Sequence, residues 1–277
     1  MLWDSMTNYL KSWFVYHGLA WHLMVIAIAL GITFGAIWLL SQWPPLFKKP
    51  WLLGVAIAAA FLTVLAGTFV QTPLGYYYIK MMQHFWSQST LTNMLLLTYI
   101  PVVLIYALIQ EGAKMVPIVF WWWRSGKKID PKLGLAIGAL AGAGFGIFEA
   151  FYAHSQVFAA GWTWNEISRD AWQGILPFWD QLWWVAGHIA ISAIAGYGLA
   201  KGKGWQFYLL AAGLHSILFY LKVLYSKGTL DITQVEILLA GGAALITLAV
   251  LWLRWQKDEE KLEPVLPDAP AEVDAQQ

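Results

Sequence analysis

Gly134-Leu-Ala-Ile-Gly138-Ala-Leu-Ala-Gly142-Ala-Gly144-Phe145-Gly146-Ile-Phe-Glu149-Ala150-Phe151-Tyr152-Ala153 is an apolar stretch long enough to cross a bilayer, with one carboxylate near its end. Gly134, Gly138, Gly142 and Gly146 recur every four residues. On a helix they line one face and let a neighbouring helix approach almost backbone to backbone. Glu149 lies seven residues after Gly142 and three after Gly146, so it continues that face. The spacing therefore predicts a carboxylate directed into the protein, where helices are closest. An ionisable group held in a membrane span is costly and points to function once its partners are named.

The rest of the chain agrees with a membrane reading. Of its 277 residues, 59% are hydrophobic and 12% charged, with a mean hydropathy of +0.56, which excludes an ordinary soluble domain. Apolar runs fall near 20–40, 51–70, 92–123, 133–153, 182–200, 204–224 and 232–254, each meeting or exceeding the roughly 20 residues of a spanning helix. The expected fold is all-α, a polytopic membrane protein of about seven transmembrane helices. It forms a single transmembrane domain over 1–256, with a site-bearing core at about 92–224 and a charged, Pro/Ala-rich tail over 257–277 expected to be disordered and cytoplasmic. The start, with Asp4, Lys11 and Trp13 before the first run, lacks the small-residue cleavage site of a secretory signal and is read as retained.

Basic residues set the expected orientation. Connections at 41–50, 124–132 and 201–203, together with the tail from Arg254, hold eleven Lys and Arg; the opposite side holds five, Lys11, Lys80, Arg169, Lys222 and Lys227. The positive-inside rule then places the amino terminus outside and the carboxyl terminus in the cytoplasm. The expected location is the cell membrane of a prokaryote, with the lipid bilayer as surroundings. A net charge of +1 and the lack of a long basic block give no sign of nucleic acid as a partner. Without cysteine there is neither thiol catalysis nor Cys-ligated zinc. Residues 154–181 are expected to form the longest outer connection, a Trp-rich amphipathic piece at the interface.

Besides Glu149, the polar residues inside spans are Gln110, Glu111 and Lys114 in the third, His188 in the fifth and His215 in the sixth. At ~1.5 Å per residue from the cytoplasmic turns, Glu111 and His188 lie roughly 18–20 Å deep, His215 about 17 Å and Glu149 roughly 24 Å. Four ionisable groups on four helices thus share one slab. His188, Ser192 and Gly196 step at four, and His215 follows Ala211 and Ala212, so each histidine sits on a small-residue face. Lys114, one turn from Glu111, is placed to neutralise it. Singly, such residues are more often structural hydrogen-bonding groups or ion pairs. Together they supply a general base, a second acid group and oxyanion donors or metal ligands. The candidate catalytic residues are Glu111, Glu149, His188 and His215, with Lys114, Gln110 and Ser192 in support.

These residues resemble the motifs of the PrsW-type intramembrane proteases, within the broader group of glutamic-type or metal-dependent membrane proteases that includes the CAAX prenyl protease and YhfC families. Gln110-Glu111-Gly-Ala-Lys114 is similar to a Glu-Glu-x-x-Lys/Arg helix and Gly144-Phe145-Gly-Ile-Phe-Glu149 to a Gly-Phe-x-x-x-Glu helix. His188 with Gly196-Tyr197-Gly198, and Gly213-Leu214-His215, correspond to the last two. The resemblance covers about residues 100–222 and implies an endopeptidase acting on a membrane protein or membrane-proximal peptide. Two positions depart from the pattern: Gln110 replaces the first acid, and Ala150 stands where Asn is frequent. The loss of that acid leaves water activation to Glu111 or Glu149, or implies a catalytically inactive binding member. A proton- or cation-coupled transporter uses the same residue types, although no inverted repeat is visible. A b-type haem carrier would use His188 and His215 as axial ligands. On cofactors, Lys114 beside Glu111 opposes a divalent ion, so a metal-free site is expected; zinc is the alternative, on His188, His215 and Glu149.

Overall fold

The computed structural model describes residues 2–14 and 18–256; the expected tail at 257–277 lies outside the described residues. In chain order the helices are α1 (Leu2–Ser12), α2 (Trp21–Gln42), α3 (Trp51–Ala66), α4 (Thr72–Phe85), α5 (Gln88–Asn93), α6 (Leu95–Arg124), α7 (Pro131–Ala159), α8 (Trp164–Arg169), α9 (Ala171–Ala200), α10 (Gly204–Ser226) and α11 (Ile232–Trp255). There is no strand among the described residues. Among the described residues, seven stretches are long and apolar enough to cross a membrane: α2, α3 continued into α4, α6, α7, α9, α10 and α11.

The second span outruns its expected end at residue 70 and continues to Phe85. Pro73 cannot donate a backbone N–H, so an unbroken α-helical ladder fails around it. The chain widens instead into one π-helical turn over Gly67–Gln71, where the Thr72 N–H and hydroxyl both reach the Gly67 carbonyl. The connection expected at 154–181 is also shorter. Helix α7 runs on to Ala159 and α9 starts at Ala171, because the Asp170 carboxylate caps the N–H groups of Trp172 and Gln173. Only 160–170 connects them, carrying α8, while Trp172 and Trp179 belong to α9. The Trp172 indole then ties α9 to α11 by donating to Thr233 Oγ1 at 3.0 Å.

Helices α7 and α9 form the centre of the bundle. Their apolar windows are 72% and 83% buried, against 17–39% for the other five spans, whose remaining surface is left for lipid. The glycine stripe is the reason. A methyl group built on Gly134, Gly138 or Gly142 would collide with the carbonyl oxygen of Gly196, Ser192 or His188 respectively, an antiparallel register stepping four residues on each helix. Gly144 on the opposite face is closed in the same way by the Ala56 carbonyl of α3, and Gly31 of α2 by that of Ile147. At the amino terminus Trp13 is 4% exposed and stacks on Tyr152 and Phe148 with centroids 4.4 and 5.6 Å away. The segment after α1 therefore docks on α7.

Candidate active site

The seam brings His188 within reach of Glu149. Side chains on a helix lean toward its amino terminus, so Glu149 comes back to the level of Gly146, the glycine opposite Val185 and the His188 side chain. Glu149 Oε2 and His188 Nε2 are 2.7 Å apart. On α6, which packs against α7, α9 and α10, Glu111 is wholly buried and fully engaged. Its Oε1 accepts from Lys114 Nζ at 2.5 Å and pairs with His215 Nδ1 at 2.7 Å. Its Oε2 accepts from Ser192 Oγ at 3.2 Å.

Lys114, also buried, bridges the two halves: its Nζ lies 3.2 Å from His188 Nδ1. An ammonium only donates, so His188 Nδ1 accepts and Nε2 carries the proton given to Glu149. Glu111 likewise fixes His215, whose Nδ1 donates and whose Nε2 is left over. The order along the cluster is thus Glu149, His188, Lys114, Glu111, His215, with Ser192 on the far carboxylate oxygen. Glu111, Glu149, His188, His215, Lys114 and Ser192 stand together in one hydrogen-bonded chain. Gln110 does not join it. It projects about 100° round the helix from Glu111, and its amide donates to Gln71 Oε1 on the π-helical turn at 3.2 Å.

The surroundings are aromatic and dry. The two imidazole rings have centroids 5.1 Å apart, and Trp184 packs against both, at 5.8 and 6.0 Å. Phe145 meets His188 edge-on at 5.1 Å and lies under the Lys114 ammonium. Trp184 did not stand out in the sequence, and Phe145 did so only as the Phe of the Gly-Phe-x-x-x-Glu resemblance, yet each lies four residues before a site residue, on the same helix face. As they stand, the touching imidazoles leave no room for a porphyrin between them. The group whose ligand atoms all lie within 4.8 Å of one another is Glu111, His188 and His215. Glu149, the carboxylate of the expected zinc set, lies outside that group.

A family model described as PrsW family intramembrane metalloprotease matches residues 48–219, from the turn before α3 to the middle of α10. No curated protein and no solved structure matches.

Proposed function

The chain belongs to the PrsW family of intramembrane metalloproteases, an intramembrane protease by that membership, and from this we propose that it hydrolyses a peptide bond of a membrane protein with Glu149 as general base. One contrast carries the assignment. Both oxygens of Glu111 are already occupied by donors, whereas Glu149 shares only Oε2, and its Oε1 has no hydrogen-bond partner among the described residues. The Glu149 side chain is 29% exposed against 0% for Glu111. A base must reach water, and of the two acids it is Glu149 that keeps exposed surface.

In this reading Glu149 Oε1 removes a proton from water as the water oxygen attacks the scissile carbonyl carbon. The carbonyl electron pair moves onto its oxygen. His215, carrying a proton on Nε2, is the donor left free to stabilise that oxyanion, and Glu111 holds its other nitrogen in place. With His215 protonated, the two carboxylates are balanced by His215 and Lys114, as a low-dielectric site requires. The intermediate collapses with cleavage of the C–N bond, and Glu149 returns its proton to the departing amine. His188, held between Glu149 and Lys114, positions the base.

The family description implies a metal. Glu111, His188 and His215 match zinc in donor type and number. In this reading the cluster holds none. The Lys114 Nζ is bonded to Glu111 Oε1 and to His188 Nδ1, which puts an ammonium among the donors that an ion would use. We therefore assign a metal-free mechanism. We further assign the amino terminus to the outside of a prokaryotic cell membrane and the carboxyl terminus to the cytoplasm, on the basic count.

The test is cleavage of single-pass membrane peptides by the purified protein in nanodiscs, read by mass spectrometry. Glu149→Gln is expected to lower the rate by about 10²–10⁴. A Glu149→Gln protein that retains wild-type activity overturns the base assignment. Activity lost to chelator and restored by zinc overturns the metal-free one.

A further inference from the structure

A second group of carboxyls lies at the other end of α9, near the outer face, and the mechanism above leaves it unused. Asp180 Oδ1 accepts from the Trp184 indole at 3.0 Å, and its Oδ2 accepts from Gln181 Nε2 at 2.8 Å and lies 3.7 Å from Lys222 Nζ. The Glu236 carboxyl of α11 faces that of Asp180. Two buried oxygens there have no donor, Glu236 Oε2 and Gln181 Oε1, in residues only 2% and 7% exposed; the partner of the Glu236 carboxyl is the carboxyl of Asp180. Such atoms are costly when left unpaired. Asp180, Glu236 and Lys222 line one cleft between α9, α10 and α11, with a volume of about 390 Å³ and walls that include Leu176, Pro177 and Val235.

The chemistry of the missing group follows from what is there. The cleft has two facing carboxyls and one ammonium, and Glu236 Oε2 has no donor, so it calls for a positively charged donor of hydrogen bonds. A divalent metal is a poor match, with only two carboxylates and Lys222 beside them. The position is informative too. Asp180 precedes His188 by eight residues on the same helix, ~12 Å along its axis, and an extended peptide covers that in about three or four residues. Trp184 links the two places, since its indole is held by Asp180, Lys222 Nζ lies 4.8 Å from its ring centroid, and its ring touches both histidines.

We propose that this cleft is a specificity subsite that receives the guanidinium or ammonium of an Arg or Lys side chain in the substrate, three to four residues from the scissile bond on the outer side. It rests on the protease reading. It places the basic residue on the flank of the substrate that leaves the membrane away from the Lys- and Arg-rich connections. Lys222 stays with Asp180 and Trp184, and the incoming side chain takes Glu236.

The experiment uses the full-length Glu149→Gln protein in phosphatidylcholine nanodiscs, which binds peptide without turning it over. The probes are fluorescent single-pass peptides identical except for one Arg at successive outer positions, each paired with its citrulline counterpart, the uncharged isostere. At one position Arg is expected to bind about tenfold more tightly than citrulline, and adding Glu236→Gln is expected to reduce that ratio below about twofold. Equal binding of Arg and citrulline at every position overturns the subsite, and so does a preference that survives Glu236→Gln. The first comparison needs no cleft variant, so it stands even if Glu236→Gln unfolds. A preference abolished by phosphatidylethanolamine in the nanodisc assigns the cleft to the lipid ammonium and overturns the peptide assignment. Arg preference without any wild-type cleavage retains the cation site and sinks the protease reading, whereas cleavage without preference does the reverse.

Discussion

Glu111 and Glu149 occupy the same slab of the bundle, each beside a histidine, yet their surroundings have opposite consequences. Glu111 meets donors on both oxygens, sits against its own cation and is closed off from solvent. Glu149 meets one donor, has no cation of its own within ion-pair distance among the described residues, and is partly open. Saturated hydrogen bonding makes a carboxylate a structural anchor, because any proton it accepts must displace a bond already made. Incomplete hydrogen bonding is what suits the other one to the proposed role of base. On that proposal the site joins a rigid half and a reactive half through Lys114 and His188.

The contrast predicts that stability and activity separate between the two acids. Glu111→Gln or Lys114→Met strands a buried charge, and each is expected to lower stability by about 3–5 kcal/mol, as when one member of a buried pair is removed. Glu149→Gln, with its single bond and partial exposure, is expected to unfold close to wild type while losing turnover. The double variant Glu111→Gln/Lys114→Met should recover much of the stability lost by either change alone, because it removes one charge of each sign. Thermal or denaturant unfolding in nanodiscs reads all four. If Glu149→Gln proves as destabilising as Glu111→Gln, the division into an anchor and a base is wrong.

A smaller effect is expected from the seam that aligns the two halves. Gly142→Ala forces a methyl group against the His188 carbonyl, so α7 and α9 must part. Overpacking of this kind costs typically about 1–3 kcal/mol. Here it also shifts His188 relative to Glu149, so kcat should fall along with stability. Gly241→Ala on α11 is the control, since a methyl there meets nothing within 4 Å. Gly142→Ala behaving like Gly241→Ala would mean that the close approach does not hold the site together.

Much of this was legible in the chain. The stripe at Gly134, Gly138 and Gly142 has a period of four, and that regularity marks helix contact before any partner is known. Depth counting gathered Glu111, Glu149, His188 and His215, because a bilayer turns residue number into position along one axis. The other two axes leave no such trace. Nothing local in the sequence says that Glu236 faces Asp180, fifty-six residues away on another helix, or that Trp13 stacks on Tyr152. Nor does hydropathy find the first turns of α9, where Asp170 starts a helix in a polar stretch ahead of the apolar run. The bilayer does not decide which carboxylate is saturated either, since that depends on rotamers around Lys114.

The smallest expected effect concerns Gln110, where the chain departs from the family pattern, and it bears directly on the comparison of the two acids. If the base is Glu149, an acid at 110 has little chemistry to contribute, since this side chain bonds to Gln71 on the π-helical turn and not to the cluster. Gln110→Glu can keep that contact by accepting from the Gln71 amide after it rotates. Turnover is accordingly expected to change by less than about threefold, under 0.7 kcal/mol of barrier. Unfolding should change little, because the position is only part-buried. A gain of about tenfold or more would instead mean that a carboxylate at 110 activates water. The reactive half of the site would then lie on α6, and the open oxygen of Glu149 would need another explanation.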